Sequence, residues 1–139
     1  MLSDESVRVV VVEDSEAFLL RLRVALSELP VQVVGSAATT ADAISVIDRT
    51  QPDLVLLDVF LQASSGVDVL RHLGNVGSKA RTLVMTSEQA EELKSACLAL
   101  GAYGFFDKPS LVLSLESQVS SLLTELGEMQ NRRGRVVDQ

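Results

Sequence analysis

The sequence of 139 residues predicts an α/β fold, a parallel five-stranded sheet with helices on both faces, on three observations. Five short apolar runs are spaced along the chain, and β-branched residues dominate the first two. Between the runs lie segments whose apolar residues recur at helical spacing. The runs are apolar at successive rather than alternate positions, which is the pattern of strands buried on both faces of a parallel sheet.

Each element can be justified in order. The first strand is VRVVVV at 7–12, and it ends on Glu13 and Asp14. A helix over 15–29 follows, with Phe18, Leu22, Ala25 and Leu29 in one stripe widened by Leu19 and Leu26. Asp14 or Ser15 caps its start and Pro30 stops it. VQVVGS at 31–36 is the second strand, and behind a Thr39/Thr40 cap a helix over 40–50 turns Ala43, Ile44 and Ile47 inward. DLVLLD at 53–58 is the third strand and stops on Asp58; the helix from Gly66 to His72 carries Val67, Leu70 and Leu73. RTLVMT at 81–86 is the fourth strand, followed by a helix over 87–100 with a narrow stripe of Leu93, Ala96, Cys97 and Leu100 and a stop at Gly101. YGFF at 103–106 is the fifth strand. Pro109 disfavours helix at Lys108, which is therefore expected to stay extended. The last helix runs over 110–126, with Leu111, Leu115, Val119, Leu122 and Leu126 on one side and Gly127 ending it.

Strands alternating with helices, joined by right-handed crossovers, give the doubly wound flavodoxin-like (βα)5 order 2-1-3-4-5. One domain over 6–126 is expected, with 127–139 as a tail or the start of a linker. The net charge of −7 argues against a nucleic-acid-binding surface, and the arginines at 132, 133 and 135 read as a solvated tail. The N-terminal apolar stretch is too short to span a membrane and lacks the cationic start of a signal peptide. The single Cys97 excludes an internal disulfide and reads as core. A cytoplasmic location is the expectation. His72 reads as an exposed helix residue, and GNVGSK at 74–79 lacks the spacing of a phosphate loop.

The predicted strand order has a chemical consequence. It makes the first and third strands neighbours, roughly 5 Å apart, so Glu13, Asp14 and Asp58 crowd one rim. Crowded carboxylates repel unless a cation intervenes. Hard oxygen donors of this kind suit Mg²⁺, which keeps several waters and accepts phosphate oxygens. Thr86 ends the fourth strand and Lys108 lies just past the fifth, within reach of Asp58. An acidic cluster, a hydroxyl and a lysine from four strands make a phosphoryl-binding site. A flavin phosphate is excluded, because the loop after the first strand, EDSEAF, would repel it. An aspartate-nucleophile phosphatase is disfavoured, because Phe60 stands where such enzymes usually carry a second acid.

The acidic pair in VVVVEDS, the aspartate in PDLVLLDVF, the threonine in LVMTS and the lysine in GAYGFFDKP resemble, in order, the signature of response-regulator receiver domains. The resemblance covers residues 6 to 126. It implies that Asp58 accepts a phosphoryl group from a phosphohistidine of a histidine kinase or phosphotransfer protein. It implies that Asp14 and Glu13 hold Mg²⁺ together with Asp58 and the backbone carbonyl of Phe60, while Lys108 and Thr86 assist. It also implies a switch, in which Thr86 and Phe105 rearrange and remodel the face of the fourth helix, fifth strand and fifth helix for a downstream protein. Such a domain is a signalling switch rather than an enzyme. A receiver-like module that docks its partner without phosphorylation is the alternative. It is raised by a phosphorylation loop with Gln62 where the family often has proline, and by Ser87 after Thr86.

Overall fold

The computed structural model describes residues 6–88 and 90–138, with side chains as far as Met129. Its elements in order are β1 (Val7–Val12), α1 (Glu16–Leu26), β2 (Val31–Ala37), α2 (Thr40–Thr50), β3 (Leu54–Asp58), α3 (Val67–Asn75), β4 (Arg81–Thr86), α4 (Glu91–Ala99), β5 (Gly104–Asp107) and α5 (Lys108–Asp138). The strands form one sheet in the order β2-β1-β3-β4-β5, as the alternation of the sequence requires. All neighbours are parallel.

The period of two within each strand divides its side chains between two cores. Val10, Val12, Val55, Leu57 and Val84 pack with Ala43, Val46 and Ile47 of α2 and Leu70 and Leu73 of α3. Val9, Val11, Leu54, Leu56, Leu83 and Met85 pack with Phe18, Leu22 and Leu26 of α1 and Leu111, Leu115, Val119 and Leu122 of α5. Both faces are covered, which is why the central runs carry no alternation.

Register positions the functional rim. Val12 is opposite Leu57, Asp58 opposite Met85, and Thr86 opposite Asp107. Glu13, Asp58, Thr86 and Lys108 therefore all emerge at the carboxyl edge of the sheet.

Several boundaries depart from expectation. α1 ends at Leu26, three residues early, where the Ser27 amide bonds the Arg23 carbonyl; a following turn delivers Pro30 to β2. Leu29 still packs partly buried beneath it. In α2 the inward set is Ala43, Val46 and Ile47, with Ile44 at the flank. In α3 Val69 joins Leu70 and Leu73, and Val67 is only partly buried. α4 starts at Glu91 rather than 87, because Thr86 and Glu88 form a tight turn first. Cys97 is its one buried side chain; Ala96 is exposed. Gly101, at φ +103°, ends this unit as expected.

Two corrections concern α5. Lys108 is its first helical residue rather than an extended one, and Pro109 follows in the first turn, where the missing amide costs no hydrogen bond. Nor does Gly127 end the helix, which continues to Asp138. A lone glycine weakens a helix by only about 1 kcal/mol relative to alanine, and good helix formers flank this one. The side chains of Arg132, Arg133 and Arg135 lie outside the described residues.

The Thr39 hydroxyl accepts the Asp42 amide at 3.2 Å and caps α2. Thr39→Ala is expected to cost about 1 kcal/mol, read as a lower urea midpoint at unchanged slope.

Candidate functional site

The site grows from the end of β1. There Glu13 is 3 % exposed, and its Oε2 accepts the Ser15 amide at 2.9 Å. The same Ser15 caps α1 through its hydroxyl, so the chain reverses directly after the acidic pair. Asp14 is half-buried and accepts the backbone amide of Gln62 from the loop after β3. Asp58 closes β3, also 3 % exposed, and its Oδ1 accepts the Phe60 amide at 2.8 Å.

Lys108 supplies the countercharge. Its Nζ lies 2.9 Å from Glu13 Oε1 and 3.1 Å from Asp58 Oδ2. The ammonium also lies 4.7 Å from the centre of the Phe18 ring, a cation–π contact that shields it. Burial alone would lower the lysine's pKa, but Glu13 and Asp58 outweigh it and hold the ammonium above its ordinary value. Burial raises the Glu13 pKa; the Ser15 amide and Lys108 oppose this, while Asp58 adds to it. The rim is short of positive charge.

This shortage bears on a metal. Glu13, Asp14 and Asp58 each offer an oxygen within 4.8 Å of the others. Glu13 Oε1 is buried and, despite its ion contact with Lys108, makes no aligned hydrogen bond. An all-oxygen set of three carboxylates that share a single neighbouring ammonium fits a hard divalent cation. Adding Mg²⁺ is expected to raise the urea midpoint, and Asp14→Asn to remove most of that rise.

Thr86 is fully buried at the same edge, but its hydroxyl donates to the Glu88 carbonyl at 2.8 Å and accepts the Glu88 amide at 3.0 Å. It is thus engaged with its own loop. Phe105 is half-buried, packed against the core near α4. Phe60 is exposed, and its backbone bridges to Ser65. His72 is less exposed than expected and reaches Asp48 of α2 at 3.0 Å. Cys97 is buried, as expected.

The sequence reading missed Phe18 as the lysine's aromatic support, and it missed Gly66. A Cβ on Gly66 would fall 2.4 Å from the Asp58 carbonyl oxygen and 2.7 Å from Val59 Cα. The available signal was Ser-Ser-Gly immediately before an apolar helical stripe. Among the described residues, no helix is long and apolar enough to cross a membrane.

Residues 9–120 match the family model of the response regulator receiver domain. The chain is 33% identical over 115 residues to a protein-glutamate methylesterase/protein-glutamine glutaminase of Bacillus subtilis, covering 79% of this chain and 31% of that protein. It is 32% identical over 117 residues to the response regulator MprA of a Mycobacterium species, covering 84% of this chain and half of that protein (50%). The chain thus spans half or less of these curated relatives. Among solved structures, the signal receiver domain of the putative response regulator NarL from Mycobacterium tuberculosis superimposes with a TM-score of 0.79 at 30% identity, covering 86% of this chain and 98% of that one.

Proposed function

The chain belongs to the response regulator receiver family, a family of signalling switches, and on that premise we propose that Asp58 is its phosphoacceptor. The observation that carries the reading is the ammonium of Lys108 held between Glu13 and Asp58 at the edge where three carboxylates converge.

In the proposed reaction a carboxylate oxygen of Asp58 attacks the phosphorus of a phosphohistidine on a kinase or phosphotransfer protein. The new O–P bond forms as the P–N bond breaks, and the imidazole leaves and takes up a proton. Phosphoryl transfer asks little covalent chemistry of the protein beyond positioning and charge stabilisation. The Phe60 amide fixes the Asp58 carboxylate, and Lys108 places its ammonium 3.1 Å from it, where charge builds on the transferring oxygens. Mg²⁺, held by Glu13, Asp14, Asp58 and the Phe60 carbonyl, would supply further positive charge to the phosphoryl oxygens.

The same arrangement supports a switch. Thr86 now spends its hydroxyl on the Glu88 carbonyl. A phosphoryl group on Asp58 offers it a stronger, charged acceptor. Turning Thr86 toward that acceptor frees the Glu88 turn and the space beside Phe105, so the face of α4, β5 and α5 changes shape for a downstream protein. The whole-protein activities of the longer relatives are not needed for this role.

The test is incubation with acetyl phosphate and Mg²⁺, followed by intact-mass measurement. One phosphoryl group should be gained, should be lost on mild alkali, and should be absent from Asp58→Asn. An unmodified parent protein, or equal labelling of the variant, would overturn the reading.

A further inference from the structure

The connection between β3 and α3, residues 59–66, folds into a closed lobe beside the carboxylate cluster. Its neck is shut by the Gly66 amide, which donates to the Val59 carbonyl at 3.2 Å, and by the backbone bridge between Phe60 and Ser65. Leu61 is buried and pins the lobe to the core. Its tip has no such anchor, because Gln62, Ala63 and Ser65 are exposed.

The lobe carries the groups that orient the proposed metal ligands. The Phe60 amide holds Asp58 Oδ1, and the Gln62 amide holds Asp14 Oδ2. The Gln62–Asp14 bond lies at the surface, where water competes for both partners. A single exposed hydrogen bond holds a loop weakly, so the tip needs a second attachment to keep Gln62 against Asp14.

That attachment comes from α2. Ser64 Oγ accepts the Thr40 amide at 2.8 Å, and the Thr40 hydroxyl donates to the Ser65 carbonyl at 2.6 Å. The bonds run in opposite senses between the same two segments, so they fix the rotation of the tip as well as its distance. Thr40 is the first residue of α2, and its amide is one of the orphan donors of a helix start. Thr39 caps the Asp42 amide, and the Thr40 amide is left for the lobe to satisfy. Thr40 and Ser64 are half-buried, which shields this contact in part. Ala43, Val46 and Ile47 fix α2 in the core, so the clamp ties the tip to a rigid element.

We propose that Thr40 and Ser64 are positioning residues for the metal site: by clamping the lobe to α2 they hold Gln62 on Asp14 and Phe60 on Asp58 before a divalent cation binds. The proposal rests on the reading of Glu13, Asp14 and Asp58 as Mg²⁺ ligands, and not on phosphoryl transfer. Groups that orient a ligand commonly govern metal affinity by about tenfold or more. A site already held in place does not have to be ordered on binding.

The test is ¹H–¹⁵N NMR titration of the full chain with Mg²⁺ alone, following the Asp14, Phe60 and Gln62 amides, beside urea unfolding without metal. Thr40→Val removes the hydroxyl at nearly constant shape, Ser64→Ala removes the acceptor, and Thr40→Ser keeps the hydroxyl. Thr40→Val and Ser64→Ala should each weaken Mg²⁺ binding about fivefold, the value of one hydrogen bond, and together at least about tenfold. Thr40→Ser should bind as the parent does. Affinity is read on the folded protein, so lost stability does not enter it. Parental affinity in both Thr40→Val and Ser64→Ala, even with a lower urea midpoint, makes the clamp a stability contact only and overturns the proposal. An equal loss in Thr40→Ser overturns it too, since the hydroxyl would not be the cause. A parent that binds no Mg²⁺ overturns the metal reading and the proposal with it. A parent that binds Mg²⁺ but gains no phosphoryl group overturns only the assignment of Asp58 as phosphoacceptor.

Discussion

Lys108→Ala is expected to slow phosphorylation of Asp58 by acetyl phosphate roughly a hundredfold to a thousandfold, the range for removing a preorganised group that stabilises developing charge. The structure gives a way to separate this loss from general damage. Lys108 now shares Glu13 and Asp58, and its removal leaves those carboxylates facing each other with Asp14 close by. Repulsion then favours any added cation. The rise in urea midpoint on adding Mg²⁺ should therefore become larger in the variant while the transfer rate falls. The lysine's own titration does not confuse the comparison. Its folded pKa lies above the ordinary value of 10.5, so the stability from its ion pairs is complete below the unfolded pKa and is lost only as pH rises through the folded one. At neutral pH the parent keeps the full ammonium. A variant that transfers at the parental rate would remove Lys108 from the mechanism.

The parts of this site that were legible in the sequence are those set by strand ends. A strand apolar at every position has to be central, and a carboxylate that interrupts it marks an edge; Asp58, Glu13 and Asp14 could be placed by that argument alone. Lys108 followed because β5 is the last short apolar run. What sequence could not show is where tertiary closeness overrides local preference. Pro109 argued for an extended Lys108, yet proline is at home in the first turn of a helix, and α5 begins on the lysine. Gly127 looked like a stop, but a stop also needs the left-handed turn that Gly101 adopts, and without it the helix runs on. Ala96 fits a helical stripe by spacing, but α4 buries only Cys97, so a narrow stripe overstated its buried face. Thr86 could be placed at the edge but not oriented, since its bonds to Glu88 depend on a turn with no residue signature.

Gly66 shows the same limit at its sharpest, and Gly66→Ala is expected to be the most damaging single-methyl change in the protein. The glycine has an ordinary φ of −65°, so backbone freedom is not the reason it is needed. The reason is space. Its amide donates to the Val59 carbonyl at 3.2 Å, drawing the start of α3 against the end of β3. At that separation a Cβ would meet the Asp58 carbonyl oxygen at 2.4 Å and the Val59 Cα at 2.7 Å. Both are backbone atoms, so no side chain can turn away to relieve the contact. Overpacking typically costs about 1–3 kcal/mol and more where neighbours cannot yield, so a loss of at least about 3 kcal/mol in urea unfolding is expected. The functional loss should exceed what stability alone explains. The atoms that must retreat belong to Asp58 and its successor, and Phe60, one residue on, fixes the Asp58 carboxylate through its amide. Even at low temperature, where the variant is folded, phosphorylation by acetyl phosphate should fall by more than tenfold, because misplacing a reacting group by about 1 Å costs as much or more. Gly127→Ala is the matched control, since a Cβ there meets nothing within 4 Å. It should stabilise α5 slightly and leave the transfer rate unchanged. Equal behaviour of the two alanine variants would show that the approach of α3 to the end of β3 is not a constraint on the site.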